Sequence, residues 1–168
     1  MSNNRTNILT HLEIERKLVR MAWEIYENNH LAKQLILLGI SDNGNYLAEA
    51  IGKTLSNISK IKLQYGRIDL DKPKGFASEV KLHCDVKLAD RTVIMIDDVL
   101  NSGRTMLAAM LPVIEQKPIK IQTAVLANRN HKSFPVKADI VGISLATTLQ
   151  EHIWFERDSK NNMSVYLT

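Results

Sequence analysis

A single cysteine, Cys84, stands in the 168-residue chain. No disulfide can form within it, which agrees with a reducing compartment. One thiol and five scattered histidines give no metal-ligand spacing and argue against a structural zinc site. No unbroken apolar run approaches the roughly 20 residues that a membrane span needs. The opening MSNNRTNILTHLEIERK is polar and lacks the apolar core of a secretory signal. A soluble, cytoplasmic protein is therefore expected. Internal repeats, low-complexity tracts and Ser/Gly linkers are also missing, so residues 1–168 read as one domain with a single core.

What is present is ordinary globular usage, 45% hydrophobic and 24% charged, which excludes disordered and fibrous classes. The formal charge is +4 with a pI near 9.2. That mild excess favours an anionic partner, such as a nucleotide, a phosphate or RNA, against the plainer alternative of a solvated lysine-rich surface.

Periodicity alternates along the chain. HLEIERKLVRMAWEIYENN carries Leu12, Leu18, Val19, Ala22, Trp23, Ile25 and Tyr26 on helical spacing. QLILLGI reads as a buried strand stopped by a turn at SDNG, and NYLAEAIGKTLSNI returns to helix. KIKLQYGRIDL alternates as a strand does. DKPKGFASEVKLHCDVKLADR has no sustained period and reads as a loop with a ragged hairpin. TVIMI is a strand buried on both faces, and GRTMLAAMLPVIEQK a helix that Pro112 kinks or stops early. IKIQTAVLAN and ADIVGISL are further strands, and HIWFERDSKNNMSVYL is a hairpin turned at DSKNN. Strands alternating with helices predict an α/β fold: an open, mostly parallel twisted sheet with helices on both faces, and ligands at the carboxyl ends of its strands.

One stretch concentrates the chemistry. In TVIMIDDVLNSGRTM, Asp97 and Asp98 are expected at the end of the TVIMI strand. Two adjacent carboxylates next to apolar residues need cations, donors or water, which a sugar diol and hydrated magnesium supply. Behind them, Gly103 permits an unusual backbone. The amides of Ser102, Gly103, Arg104 and Thr105 can converge at a helix N-terminus, with the Ser102 and Thr105 hydroxyls beside them, to cradle a phosphate. A ribose 5-phosphate satisfies both halves. The alternative is a strand end followed by a capped turn. The loop lacks the Gly-Lys-Ser/Thr ending of a Walker loop and the three spaced glycines of a dinucleotide fingerprint.

The run VIMIDDVLNSGRT resembles the binding signature of type I phosphoribosyltransferases. LVRMAWEIYENN, LILLGISDNGNYLAEAI and IQTAVLANRNHKSFPVKADIVG extend the resemblance to PyrR-type pyrimidine attenuator proteins that double as uracil phosphoribosyltransferases. It spans roughly residues 8 to 155 and is weakest between Leu70 and Lys87. The resemblance implies the phosphoribosyltransferase fold, with a small hood at about residues 144–157 plus N-terminal elements. It also implies magnesium-dependent transfer of ribose 5-phosphate from phosphoribosyl diphosphate to a nucleobase, uracil first, in a homodimer. Asp97 and Asp98 would hold the ribose hydroxyls directly or through metal-bound water, and Ser102 to Thr105 the 5-phosphate.

Other positions depart from the family pattern. Ser41-Asp42-Asn43-Gly44 occupies the diphosphate loop, where the family has Lys-Thr-Arg-Gly. Two cations are gone, and Asp42 would repel a diphosphate. Lys72 and Lys74 are candidate replacements in a shortened catalytic loop, and Arg129 is a candidate diphosphate or ribose contact. The resemblance places a base-binding hood at SLATTLQEHIWF, where Trp154 or Phe155 could stack on a base or pack in the core. It also implies RNA binding through Arg20, His131, Lys132 and Lys137, although Val19 and Trp23 stand where that face is polar. Two alternatives to a pyrimidine enzyme stay open: a non-catalytic phosphoribosyl diphosphate or nucleotide sensor, with or without RNA, and a purine phosphoribosyltransferase.

Overall fold

The computed structural model describes residues 5–71, 79–148 and 151–168. In chain order the elements are β1 (Thr6–Leu9), α1 (His11–Asn29), β2 (Gln34–Ile40), α2 (Ser41–Ile58), β3 (Lys62–Asp69), β4 (Lys81–Cys84), β5 (Thr92–Leu100), α3 (Arg104–Glu115), β6 (Lys120–Arg129), β7 (Ile140–Leu145), β8 (Ile153–Arg157) and β9 (Met163–Leu167).

Six strands form one sheet in the order β4-β3-β2-β5-β6-β7. All neighbours run parallel except β4, which pairs antiparallel with β3. The central strands are apolar without interruption because both faces are covered, as parallel sheets require. Leu35, Leu37, Ile94, Ile96 and Leu126 face Ile25 of α1 and Leu47 and Ile51 of α2. The alternate residues Ile36, Leu38, Val93, Met95 and Val125 face Met106 and Val113 of α3. Each such fully buried side chain contributes about 1.5–3 kcal/mol relative to exposure.

The strand order reverses between β2 and β5, adjacent in the sheet but separated in sequence by α2, β3 and β4. At such a switch point the following loops diverge to opposite faces and leave a crevice at the strands' carboxyl ends. A second, antiparallel sheet of order β1-β9-β8 stands over that end. The hairpin expected around DSKNN is there, closed by Asp158, whose carboxylate accepts the backbone N–H groups of Lys160 and Asn162.

Several sequence expectations need correcting. SDNG is no turn: α2 begins at Ser41, directly after β2, because α2 packs closely enough on the sheet to start at once. β5 does not end at Ile96. It runs to Leu100, pairing Asp97 with Val125 and Leu100 with Asn128 of β6. Pro112 does not stop α3, which continues to Glu115. The ragged hairpin resolves as β4 folded back on β3, with Asp69 opposite Lys81. Lys72 and Lys74 lie outside the described residues. No described helix is long and apolar enough to cross a membrane.

Candidate active site

Two glycines bring α2 to the strand ends. A β-carbon on Gly39 would fall 2.3 Å from the Asn45 Cα, and one on Gly44 would fall 2.5 Å from the Ile96 carbonyl oxygen. Only with hydrogen at both places can the first turn of α2 rest on β2 and β5. That approach sets Asn43 beside the acid pair, and its Nδ2 donates to Asp98 Oδ2 at 2.8 Å.

Asp97 and Asp98 are 1% and 7% exposed. Backbone amides one residue on satisfy part of each carboxylate: Asp98 N–H donates to Asp97 Oδ1 at 2.9 Å, and Val99 N–H to Asp98 Oδ1 at 2.8 Å. A strand that would otherwise bury two carboxylates thus carries them to the edge of a cleft.

The cradle follows in the next turn. Gly103 takes the left-handed conformation, φ 85°, and caps α3. Ser102 is pinned from across the site, its carbonyl accepting the N–H groups of Ser133 and Phe134 at 3.1 and 3.0 Å. Arg104 N–H lies 3.3 Å from Ser102 Oγ. The Arg104 side chain turns away and packs its guanidinium 5.4 Å from the Phe134 ring centroid, so only its backbone is available to the cradle.

These pieces line one cleft of about 800 Å³, with Ser41, Asp42, Asn43, Asp97, Asp98, Asn101, Ser102, Gly103 and Thr105 on one side. His152, Ile153, Trp154 and Phe155 lie on the other. Two polar atoms of lining residues, Ser41 Oγ and Asn101 Oδ1, are buried without a hydrogen-bond partner among the described residues. A buried acceptor or hydroxyl left in that state is costly. Ser41 also has a positive φ, 57°, a backbone strain that gathers at ligand sites.

Residues 4–160 match the phosphoribosyl transferase domain family. The chain belongs to that family. It is similar to the bifunctional protein PyrR of Staphylococcus carnosus, 36% identical over 154 residues, covering 87% of this chain and 88% of that one. It is also similar to the pyrimidine operon regulatory protein of Lactococcus lactis, 33% identical over 155 residues, covering 89% and 88%. Among solved structures, the hypoxanthine phosphoribosyl transferase of Trypanosoma cruzi superposes with a TM-score of 0.77 at 13% identity, covering 95% of this chain and 90% of that one. A Bacillus anthracis hypoxanthine-guanine phosphoribosyltransferase gives 0.68 at 16%. At such identities the superposition shows a shared fold.

Within this phosphoribosyltransferase domain the expected residues divide. Ser41 to Asn43, the acid pair, Ser102, Gly103 and Thr105 come together around the cleft, with Gly44 packed beneath. Arg129 does not join them. It is buried, its Nε donating to Thr147 Oγ1 at 2.8 Å and its Nη2 to the Thr148 carbonyl at 2.7 Å. There it pins the segment leading to β8. Glu151 strengthens that loop: the Thr148 N–H and hydroxyl hold its carboxyl below the usual range.

The aromatic pair also separates. Phe155 packs in the core, whereas Trp154 is 51% exposed at the cleft, its indole N–H bonded to Thr168 Oγ1. Arg20, expected from the resemblance to contact RNA, is bonded to Glu24 and to the Val141 and Gly142 carbonyls, tying α1 to β7. Lys132 is half-buried, and that burial lowers its pKa. His152 and Ile153 fall within the segment expected as the hood, and Asn101 heads the loop before Ser102. No individual role was expected for any of the three, and β8 reaches the cleft only through the second sheet.

Proposed function

We propose that this chain is a phosphoribosyltransferase that moves the ribose 5-phosphate of phosphoribosyl diphosphate onto a pyrimidine, uracil first, in the cytoplasm, and releases diphosphate. The observation that carries the reading is one cleft at the switch point, shared by a buried acid pair and a left-handed glycine cradle at a helix N-terminus. The pyrimidine assignment draws on the relatives' names, a bifunctional PyrR and a pyrimidine operon regulatory protein.

A ring nitrogen of the base bonds to the anomeric carbon as the carbon–oxygen bond to diphosphate breaks, and the nitrogen's proton leaves to solvent. Positive charge develops on the ribose and negative charge on the leaving group. Asp97 and Asp98 accept the ribose hydroxyls and face the developing positive charge. The amides of Ser102 to Thr105, with the Ser102 and Thr105 hydroxyls, hold the 5-phosphate. The first turn of α2, Ser41 to Gly44, meets the diphosphate with its amides and helix end. Trp154, exposed in the cleft wall, covers the base in this reading. Catalysis is positioning and electrostatics, without a protein nucleophile.

The acid pair fits magnesium. This cation takes one or two carboxylates from a protein and completes its shell with water and substrate phosphates. Among the described residues no cluster of three or more ligating side chains exists, so the protein offers two carboxylates and the substrate the remainder. When bound, the ion supplies positive charge to the leaving group.

The test is diphosphate release from phosphoribosyl diphosphate with magnesium and a panel of uracil, hypoxanthine and guanine, for the wild type and an Asp97→Asn, Asp98→Asn double variant. Uracil-dependent release lost in the folded variant supports the reading. Saturable ligand binding with no release for any base replaces it with the sensor. That second reading has an observation in its favour, since the cleft lining carries three carboxylates and no lysine or arginine among the described residues.

A further inference from the structure

That imbalance points to a residue outside the lining. A diphosphate entering the cleft meets the exposed carboxylate of Asp42, and the two anions repel unless a cation offsets them. Next to Asp42 stands Arg67. Its Nη2 is 2.8 Å from Asp42 Oδ1, and its Nε donates to Asp69 Oδ1 at 2.5 Å. Asp69 in turn lies 3.4 Å from His83 Nε2 on β4.

The placement follows from register. β3 pairs with β2 so that Arg67 is level with Gly39 and Ile68 with Ile40, the residue from which α2 departs. Ile68 points into the α3-side core, so Arg67 and Asp69 point to the opposite face, where α2 begins. A long cationic side chain is thereby delivered to the mouth of the cleft.

The two carboxylates holding Arg67 differ in consequence. The Asp42 side chain is 79% exposed and Arg67 40%. A bridge that open to water contributes little to stability and is readily exchanged for another anion. Asp69 fixes the guanidinium through Nε, which leaves the Nη edge as a fork suited to phosphoryl oxygens. Asp69 first, and Asp42 after it, raise the guanidinium pKa further, so the charge is permanent.

We propose that Arg67 is the diphosphate-binding cation of this cleft: Asp69 orients it, and Asp42 occupies its outer edge until a diphosphate displaces the carboxylate. The proposal rests on the phosphoribosyl diphosphate reading above. It assigns Asp42 a role as a placeholder for anion rather than as a ligand contact.

Calorimetric binding with magnesium present tests it, using phosphoribosyl diphosphate, inorganic diphosphate and ribose 5-phosphate as separate probes. Arg67→Ala is expected to weaken both diphosphate-bearing probes roughly ten- to hundredfold while leaving ribose 5-phosphate within about twofold. Asp42→Asn, which frees the fork, is expected to tighten the same two probes, and the gain should vanish in the Asp42→Asn, Arg67→Ala double variant. Arg67→Ala with unchanged affinity for every probe overturns the proposal and leaves the wider reading standing. Equal weakening of all three probes, or Asp42→Asn that weakens diphosphate binding, also overturns it. A wild type that binds none of the three sinks the phosphoribosyl diphosphate reading itself, and the role of Arg67 with it.

Discussion

Replacing Gly44 with alanine pits two effects of opposite sign against each other. Helix propensity favours the change by about 1 kcal/mol, because glycine loses more backbone freedom than alanine in a helix. Packing opposes it. The new methyl would lie 2.5 Å from the Ile96 carbonyl oxygen, with the Asp97 Cα and the Gly39 carbonyl carbon at 3.4 Å. Reaching an ordinary contact requires the first turn of α2 to retreat from β5 by about 0.5–0.9 Å, and overpacking of that kind costs about 1–3 kcal/mol. The same retreat stretches the 2.8 Å bond from Asn43 to Asp98 to about 3.3–3.7 Å, at or past the limit of a hydrogen bond, with a further loss of about 1 kcal/mol. The expected net effect is a destabilisation of about 1–3 kcal/mol, read as a lower urea midpoint at unchanged m-value. Affinity for phosphoribosyl diphosphate should fall with it, since the moved turn carries Ser41 to Asn43. A variant as stable as the wild type or more so, with unaltered binding, would show that the helix is not clamped to the acid-bearing strand and refute the reasoning.

Two further predictions concern the cradle and the first helix. Gly103→Ala forces a side chain into φ 85° and to 3.3 Å from the Phe134 carbonyl oxygen. It should cost about 1–2 kcal/mol in thermal or urea melts and weaken ribose 5-phosphate binding; no change in either would remove the requirement for a left-handed residue. At the start of α1 the Glu13 carboxylate accepts the Thr10 N–H at 2.8 Å and the Thr10 hydroxyl at 2.7 Å, which hold its pKa below the usual value, the backbone bond foremost. Because the folded value is the depressed one, this contribution is complete above the ordinary glutamate pKa and disappears as pH falls through the folded value. The difference in Tm between wild type and Glu13→Gln should therefore be constant from pH 7 to about pH 5 and close below about pH 4. A gap that persists undiminished in acid would contradict it.

The elements that could be read from sequence are those whose residue pattern is dictated by what covers them. QLILLGI and TVIMI are apolar on both faces because helices lie on both faces. The first helix, α1, spans His11–Asn29 as expected, although its buried face runs through Ile14, Leu18, Met21, Ala22 and Ile25 while Leu12, Val19 and Trp23 stay exposed. SDNG misled because serine, aspartate, asparagine and glycine are turn formers. Here packing overrides that preference, and Gly44 is required for contact with Ile96 rather than for a bend. β1 has four residues and is held only by β9, more than 150 positions away, so no local signal marks it. Asp97, Asp98 and the loop from Ser102 to Thr105 could be singled out together because they are contiguous in sequence. Arg67 meets Asp42 only across a strand pairing, and Arg129 reads as a site cation until its buried bonds to Thr147 and Thr148 are seen.

The second sheet carries a consequence for the order of assembly. Its central strand is β9, the last of the three in sequence, and β1 and β8 each pair within it with β9 alone. During synthesis β1 leaves the ribosome before the other described elements and has no mate until β9 has been made. The cleft wall borne by β8 is likewise unsupported until then. Joining residues so far apart closes a long loop, which is entropically costly and slow. Competence to bind ligand should therefore be among the last properties a nascent molecule acquires, well after the parallel layer beneath it has formed.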